Sequence, residues 1–307
     1  MGDRLRLAMS TAAETYDRIR GPLEARGIDV DYVQPTGRAL PVAGEEHVVK
    51  DGGNASDANT LDADGFDVGF VYPSRLMEGA VVATRLSVPW VNGRRAVVTS
   101  RNKAGVLATL ADAGLPVPKT TLISNPVDEE TVLEAASTLS FPVVVKPNSA
   151  TRGVGVAKAT DVDSLLGITD YLNLVHDYRA TGDKSYLLQE YLPEAHDYRA
   201  MVVDGECVGG VRRELSVDAR DAGRWKHNVH RGATARGVEL DDRVRALAEQ
   251  VAAVLDIDYL GVDFLESGDR LVISETNARP TVDDAAKYDA GFYDRLAELV
   301  RQAAADG

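Results

Sequence analysis

The sequence predicts an α/β protein that opens on a small parallel-sheet domain, and three observations predict it. Short apolar runs alternate with amphipathic stretches of helical length from the first residues onward. Leu5–Met9, Ala12–Arg26 and Ile28–Val33 read as strand, helix and strand, the unit from which parallel sheets are built. With 44% apolar residues, a chain of 307 has core enough for two or three subdomains, and no apolar run reaches the length of a membrane span.

The elements follow in order. Gly37–Asp64 is polar and carries Gly52-Gly53 among Asp, Asn and Ser, so no regular structure is expected there. Phe66–Tyr72 reads as a strand, Leu76–Arg85 as a helix and Val88–Val91 as a strand, and the first domain is expected to end near residue 98. Arg101–Asp112 places Val106, Leu107 and Leu110 on one helical face and stops at Ala113-Gly114. A strand at Thr120–Ile123, a helix at Val127–Leu139 and the apolar strand Pro142–Lys146 lead to a glycine loop, Asn148–Gly155, and a helix over Asp161–Leu172. The strand Leu187–Tyr191 comes next, then a hairpin of Arg199–Val203 and Cys207–Val211 around Asp204-Gly205. A helix at Asp241–Leu255, a hairpin within Gly261–Pro280 and a helix at Tyr293–Ala304 complete the chain.

The net charge of −14 argues against a general binder of nucleic acid or anionic membrane. Only eight of the 34 basic residues are lysine, the balance expected of a protein adapted to a salty cytoplasm. That scarcity singles out any lysine found at a strand end or helix start. The first residues lack a secretory h-region, so a cytoplasmic location is expected. One cysteine, Cys207, excludes an internal disulfide framework and a cysteine-based zinc site.

Gly261–Pro280 carries the strongest chemical signal. Glu275 and Asn277 are two apart and share one face of a strand. With a three-residue loop at Ser267-Gly268-Asp269, Asp263 lies opposite Ile273 and diagonal to Glu275, about 7–8 Å away. Two carboxylates and an amide oxygen suit a hard cation such as Mg²⁺ that carries phosphates; in isolation the pattern reads equally as a solvated hairpin face. The second signal is Lys146 at the end of an apolar strand, a costly place for a charge unless an anion neutralises it. Gly153 and Gly155 follow in a loop whose backbone N–H groups could approach phosphate oxygens, though a plain hairpin turn explains the loop as well. The third is Gln189-Glu190-Tyr191-Leu192, a strand whose backbone could meet an adenine edge, with Asp197 and Arg199 a turn later. Beyond it, Arg212, Lys226, Asn228 and Arg231 fall in a polar region suited to neutralising phosphate. Arg213, Arg220 and Arg224 read as surface charge balance.

These motifs occur in a recognisable order. Asn102-Lys103 precedes AGLPVPKT; FPVVVKP, the glycine loop, QEYL, DYR, VRR, N-x-x-RG, GVD and ETNARP follow. The series resembles the ATP-grasp superfamily, and most of all its RimK-type branch of amino-acid ligases, over roughly Phe66–Val300. The resemblance implies an N-terminal pre-ATP-grasp substrate domain at 1–98, a small α+β lobe with the glycine loop at 99–186 and a lobe with the metal site at 187–307. It implies ATP held between the two lobes, with Lys103 and Lys146 on the phosphates, Gln189, Glu190, Tyr191 and Leu192 around the adenine, and Asp197 near the ribose. Asp263, Glu275 and Asn277 would hold two Mg²⁺ ions, with Mn²⁺ as a substitute. Arg199, Arg212, Asn228 and Arg231 would face the transferred phosphoryl group.

The implied reaction joins a small-molecule or peptide carboxylate to an amino-acid amine through an acyl-phosphate, attaching glutamate or another amino acid. Relatives often form dimers or tetramers. Where they read E-V-N-x-S-P-G, this chain has Glu275-Thr276-Asn277-Ala278-Arg279-Pro280-Thr281, so Arg279 and Thr281 stand beside the metal ligands. Tyr72, Arg75, Arg212, His230 and Arg279 are candidates for gripping an acidic substrate. Two other readings stay open: an ATP-binding regulator without catalysis, and a small-molecule kinase on the same scaffold.

Overall fold

The computed structural model describes residues 4–40, 42, 65–150, 153–176, 182–227 and 232–307. Most of Gly37–Asp64, together with Asn228, His230 and Arg231, lies outside the described residues.

The expected β-α-β start is present as β1 (Leu5–Met9), α1 (Ala13–Glu24) and β2 (Ile28–Tyr32). With β3 (Val68–Phe70) and β4 (Trp90–Val91) it forms a parallel sheet of order β2-β1-β3-β4; α2 (Leu76–Leu86) connects β3 to β4. The chain runs from β1 to β2 on one side and from β3 to β4 on the other, so the order reverses between β1 and β3. In parallel sheets ligands enter at such a reversal, at the carboxyl ends of the strands.

The helix expected at Arg101–Asp112 starts two residues later as α4 (Lys103–Asp112), and a separate helix that the sequence reading missed, α3 (Arg94–Arg101), precedes it. Asn102 breaks them: its Oδ1 accepts the Gly105 N–H at 3.0 Å and caps α4, a preference that competes with helix continuation. Lys103 therefore stands at a helix N-terminus, and it is this break that turns it towards the site.

The next sheet is antiparallel, of order β5-β8-β6-β7, from β5 (Thr120–Ser124), β6 (Val143–Pro147), β7 (Ala157–Ala159) and β8 (Ser185–Glu190). α5 (Glu129–Ser137) and α6 (Val162–His176) supply Val132 and Leu165 to a core with Val143, Val145 and Tyr186. β8 belongs to this sheet, and the chain passes to the third sheet only after Glu190.

That third sheet has order β11-β10-β9-β12-β13, from β9 (His196–Val203), β10 (Glu206–Glu214), β11 (Thr234–Val238), β12 (Tyr259–Ser267) and β13 (Arg270–Asn277). The sequence pattern did not disclose β7, β11 or the short helix α7 (Val217–Asp221), each too brief or too polar to show a period. α8 (Asp242–Leu255) buries Val244, Val251 and Leu255, and α9 (Phe292–Ala305) buries Leu296, Leu299 and Val300. Through these helices the five-stranded sheet shares one apolar core with the N-terminal sheet. Asn92 stitches the two together, its Nδ2 donating to the carbonyls of Ala278 (2.7 Å) and Tyr259. Among the described residues no helix is long and apolar enough to cross a membrane.

Candidate active site

The two antiparallel sheets face each other across a cleft of about 690 Å³. Lys103, Lys146, Gly153, Gln189, Glu190, Tyr191 and Leu192 line it from one side; Asp197, Arg212, Arg213, Asp263 and Glu275 line it from the other.

The hairpin that carries the acids differs from the expected one in a way that improves the site. Its loop has two residues, Gly268-Asp269, because Ser267 pairs with Arg270. Continued strictly, that register would set Asp263 opposite Ser274 and turn Glu275 to the other face. A β-bulge at Ser274 absorbs one residue, so Phe264 pairs with Ile273 but Asp263 pairs with Glu275 directly and Gly261 with Asn277. Directly opposed side chains approach to roughly 4.5–5.5 Å at Cβ, closer than the diagonal pair expected from the sequence.

Asp263 is almost fully buried and sits in a block of alternating charge spread over three neighbouring strands. Arg199 on β9 faces it and donates from Nε at 2.6 Å and Nη2 at 2.8 Å. Arg213 on β10 reaches Asp263 at 3.0 Å and donates to Asp197 from Nε at 2.7 Å. Burial works against the Asp263 charge, yet the two guanidiniums outweigh it and hold the carboxyl well below the usual carboxylate range. Burial pushes the Asp197 carboxyl up against the pull of Arg213, and the charge on Asp263 adds to the rise. His227, whose Nδ1 is 3.9 Å from Asp197, is held towards the neutral form by burial and by Arg213.

Arg213 is therefore a central member of the site, not surface charge balance, and Arg220 and Arg224 also line the cleft. The sequence signal for Arg213 was its place two strand residues from Val211, in a sheet whose partners only the register reveals.

Opposite the acids, Lys146 is buried, with Nζ 3.4 Å from the Ser274 carbonyl. Burial lowers its pKa to about 8; the neighbouring Lys103 adds to the fall, while Glu275 and Asp263 oppose it. Lys103 donates to the Ala150 carbonyl at 2.6 Å and stands 3.8 Å from Glu275. Gly155 has φ +73°, and a Cβ there would meet Pro147 at 2.7 Å, so the loop can fold back over β6 only with glycine at this place.

On the expected adenine side, Gln189 is buried and donates to Thr120 Oγ1 at 2.8 Å. Glu190 is committed to Arg270 at 2.7 and 2.9 Å and to the Lys119 N–H at 2.8 Å. Tyr191 meets Trp225 edge-on with ring centroids 5.9 Å apart, and Lys158 Nζ lies 4.7 Å from the Tyr191 ring. Lys158 and Trp225 had no motif to announce them. Asn277 Oδ1 accepts the Arg279 N–H at 2.9 Å.

The donor set fits a hard divalent cation. Two carboxylates face each other at the cleft and Asp263 stays ionised, and carboxylate oxygens with phosphate to complete a shell are what Mg²⁺ accepts. Among the described residues no three His, Cys, Asp or Glu side chains come together as a metal cluster, so Asp263 and Glu275 would need phosphate and other oxygens to complete a shell.

Lys103 at the start of α4 and Lys146 on β6 line one side of the cleft, and Asp263 and Glu275 on the facing sheet line the other. The RimK-like ATP-grasp domain matches residues 100–293, and the chain belongs to that family. It is 30% identical over 210 residues to an alpha-aminoadipate–LysW ligase, LysX, of Sulfurisphaera tokodaii, covering 67% of this chain and 69% of that protein. It is 30% identical over 192 residues to a probable alpha-L-glutamate ligase of Serratia proteamaculans, covering 62% and 59%. The chain thus spans about three fifths to two thirds of these relatives. In fold it is similar to the ATP-grasp ligase PsnB solved with a precursor variant, Mg and ADP: 18% identity, TM-score 0.62, and 98% and 99% of the two chains.

Proposed function

We propose that the chain is an ATP- and Mg²⁺-dependent carboxylate–amine ligase that attaches glutamate or another amino acid to a small molecule, peptide or protein terminus. One observation carries this reading: Lys103 and Lys146 face the opposed carboxylates Asp263 and Glu275 across one cleft. A carboxylate is a poor electrophile and repels a triphosphate, so the site must neutralise charge before the two can meet. Lys146 and Lys103 bind phosphate oxygens, while Asp263, Glu275 and Asn277 are the residues that would hold Mg²⁺, which would supply further charge neutralisation. Arg199 and Arg213 keep Asp263 ionised and oriented. The substrate carboxylate attacks the γ-phosphorus and ADP leaves; the amine then attacks the acyl carbon and inorganic phosphate leaves. The relatives' names support an amino-acid amine, and the three-domain division expected at 1–98, 99–186 and 187–307 belongs to the same reading, with its second limit moved past Glu190 because β8 pairs within the second sheet.

The test is release of ADP and phosphate by the purified protein at high potassium, with Mg·ATP and a panel of amino acids and small carboxylates. Amine-dependent release that disappears in Asp263→Ala and Glu275→Ala is the expected result. A phosphorylated product formed without any amine would instead establish a kinase. ATP binding that supports no turnover with any acceptor, peptides included, would establish the regulator.

A further inference from the structure

The loop that follows the proposed metal ligands does something the ligase reading does not require. Arg279 leaves β13 two residues after Asn277 and runs into the N-terminal domain, where its guanidinium bridges the ends of β1 and β3. Nη2 donates to the Ser10 carbonyl at 2.7 Å, and Nη1 donates to the carbonyls of Val71 (3.4 Å) and Tyr72. Ser10 and Val71 are the residues that directly follow β1 and β3, so Arg279 occupies the crevice at which the strand order reverses.

Three features make this more than a structural tie. The cation is held by neutral carbonyls alone: among the described residues no carboxylate lies within ion-pair distance of it, in a chain of net charge −14. A largely desolvated guanidinium without a counter-ion is unfavourable unless an anion arrives. Its Nε–H makes no hydrogen bond among the described residues, and the Nε/Nη2 edge of the fork is the one that a carboxylate takes in bidentate fashion. Finally, a second cation stands close by. Arg101, at the end of α3, donates to the Ser74 carbonyl at 2.9 Å, has no carboxylate partner among the described residues, and opposes the charge of Arg279. α1 also begins beside this crevice, at Ala12, with no side-chain cap on its first N–H groups.

We infer that Arg279 and Arg101 form a carboxylate-anchoring subsite at the β1/β3 crevice, so that the enzyme takes a small substrate bearing a carboxylate that the reaction does not consume. The inference rests on the ligase reading for the identity of the reaction, since Asn277 and Glu275 place the reacting group next door. The anchored carboxylate belongs either to a dicarboxylic acid that is activated at its other end or to the amino acid that supplies the amine.

Calorimetric titration of the full chain separates these sources, with glutarate, glutamate and the monoacid butyrate as probes, each in the presence and absence of Mg and a non-hydrolysable ATP analogue. Glutarate or glutamate binds at least tenfold more tightly than butyrate, and Arg279→Lys and Arg101→Gln each weaken that binding at least fivefold while the affinity for the ATP analogue moves less than twofold. Binding of glutarate identifies the activated acid as the anchored partner; binding of glutamate alone identifies the amine donor. The subsite is overturned if the protein binds the nucleotide but neither dicarboxylate. It is overturned equally if Arg101→Gln, which leaves the Arg279 tie intact, binds them as the wild type does, or if the variants melt earlier with unchanged affinity. Dicarboxylate binding without nucleotide binding would keep the subsite and remove the ligase reading.

Discussion

Lys146 should make the free protein less stable than it need be, and replacing it tests the electrostatics of the cleft directly. Its ammonium is buried at the end of β6, and its pKa is lowered from 10.5 to about 8, with burial as the largest cause. At 1.36 kcal/mol per unit, keeping it charged in the folded state below pH 8 costs about 3 kcal/mol. Lys146→Met preserves the stem that packs in the strand and removes the charge. The variant should therefore be more stable than wild type at pH 7 by up to about 3 kcal/mol, a rise in Tm of roughly 2–4 °C per kcal/mol. Because the folded pKa lies below the unfolded one, the folded chain binds fewer protons between pH 8 and 10.5. Wild-type stability therefore rises with pH across that window and closes the gap to the variant. Melting curves of both proteins at pH 7 and pH 10.5, with Mg·ATP titrations at pH 7, check each part. A variant that is less stable at pH 7, or that binds Mg·ATP as tightly as wild type, would refute the reasoning.

Asp263→Asn should cost about 3–5 kcal/mol in urea unfolding, because it strands Arg199 and Arg213 in the interior without their shared counter-charge. Glu275→Gln, whose side chain is one-third exposed, should change stability by less than about 1 kcal/mol while removing Mg-dependent turnover; equal stability losses in the two variants would contradict the burial difference between them. Burial raises the Cys207 thiol pKa, so the native chain should react with a thiol reagent at pH 8 far more slowly than the urea-unfolded chain. Equal rates would show that β10 opens readily at that point.

Much of the molecule was legible in the sequence because the signals were local. The β-α-β start, the helices that became α2, α8 and α9, and the lysine at the end of β6 follow from period, caps and burial cost, which depend only on neighbouring residues. The same holds for Glu275 and Asn277 sharing a face, two apart on one strand. The register that makes them a site did not follow, because a two-residue loop and a bulge at Ser274 together give a pairing that neither spacing nor turn residues reveal. Arg213 was misread for a related reason: whether an arginine beside an apolar strand meets water or two carboxylates depends on strands 16 and 50 residues away. Arg279 is the clearest case. Its sequence position marks only a departure beside the proposed metal ligands, whereas its partners at Ser10, Val71 and Tyr72 lie more than 200 residues earlier. The sequence by itself determined most of the elements that form and which side chains are candidates for phosphate chemistry, because propensity and charge act locally. Only the tertiary structure decided which charges neutralise one another and which are left to meet a substrate, because Coulomb interactions and desolvation depend on distances through space.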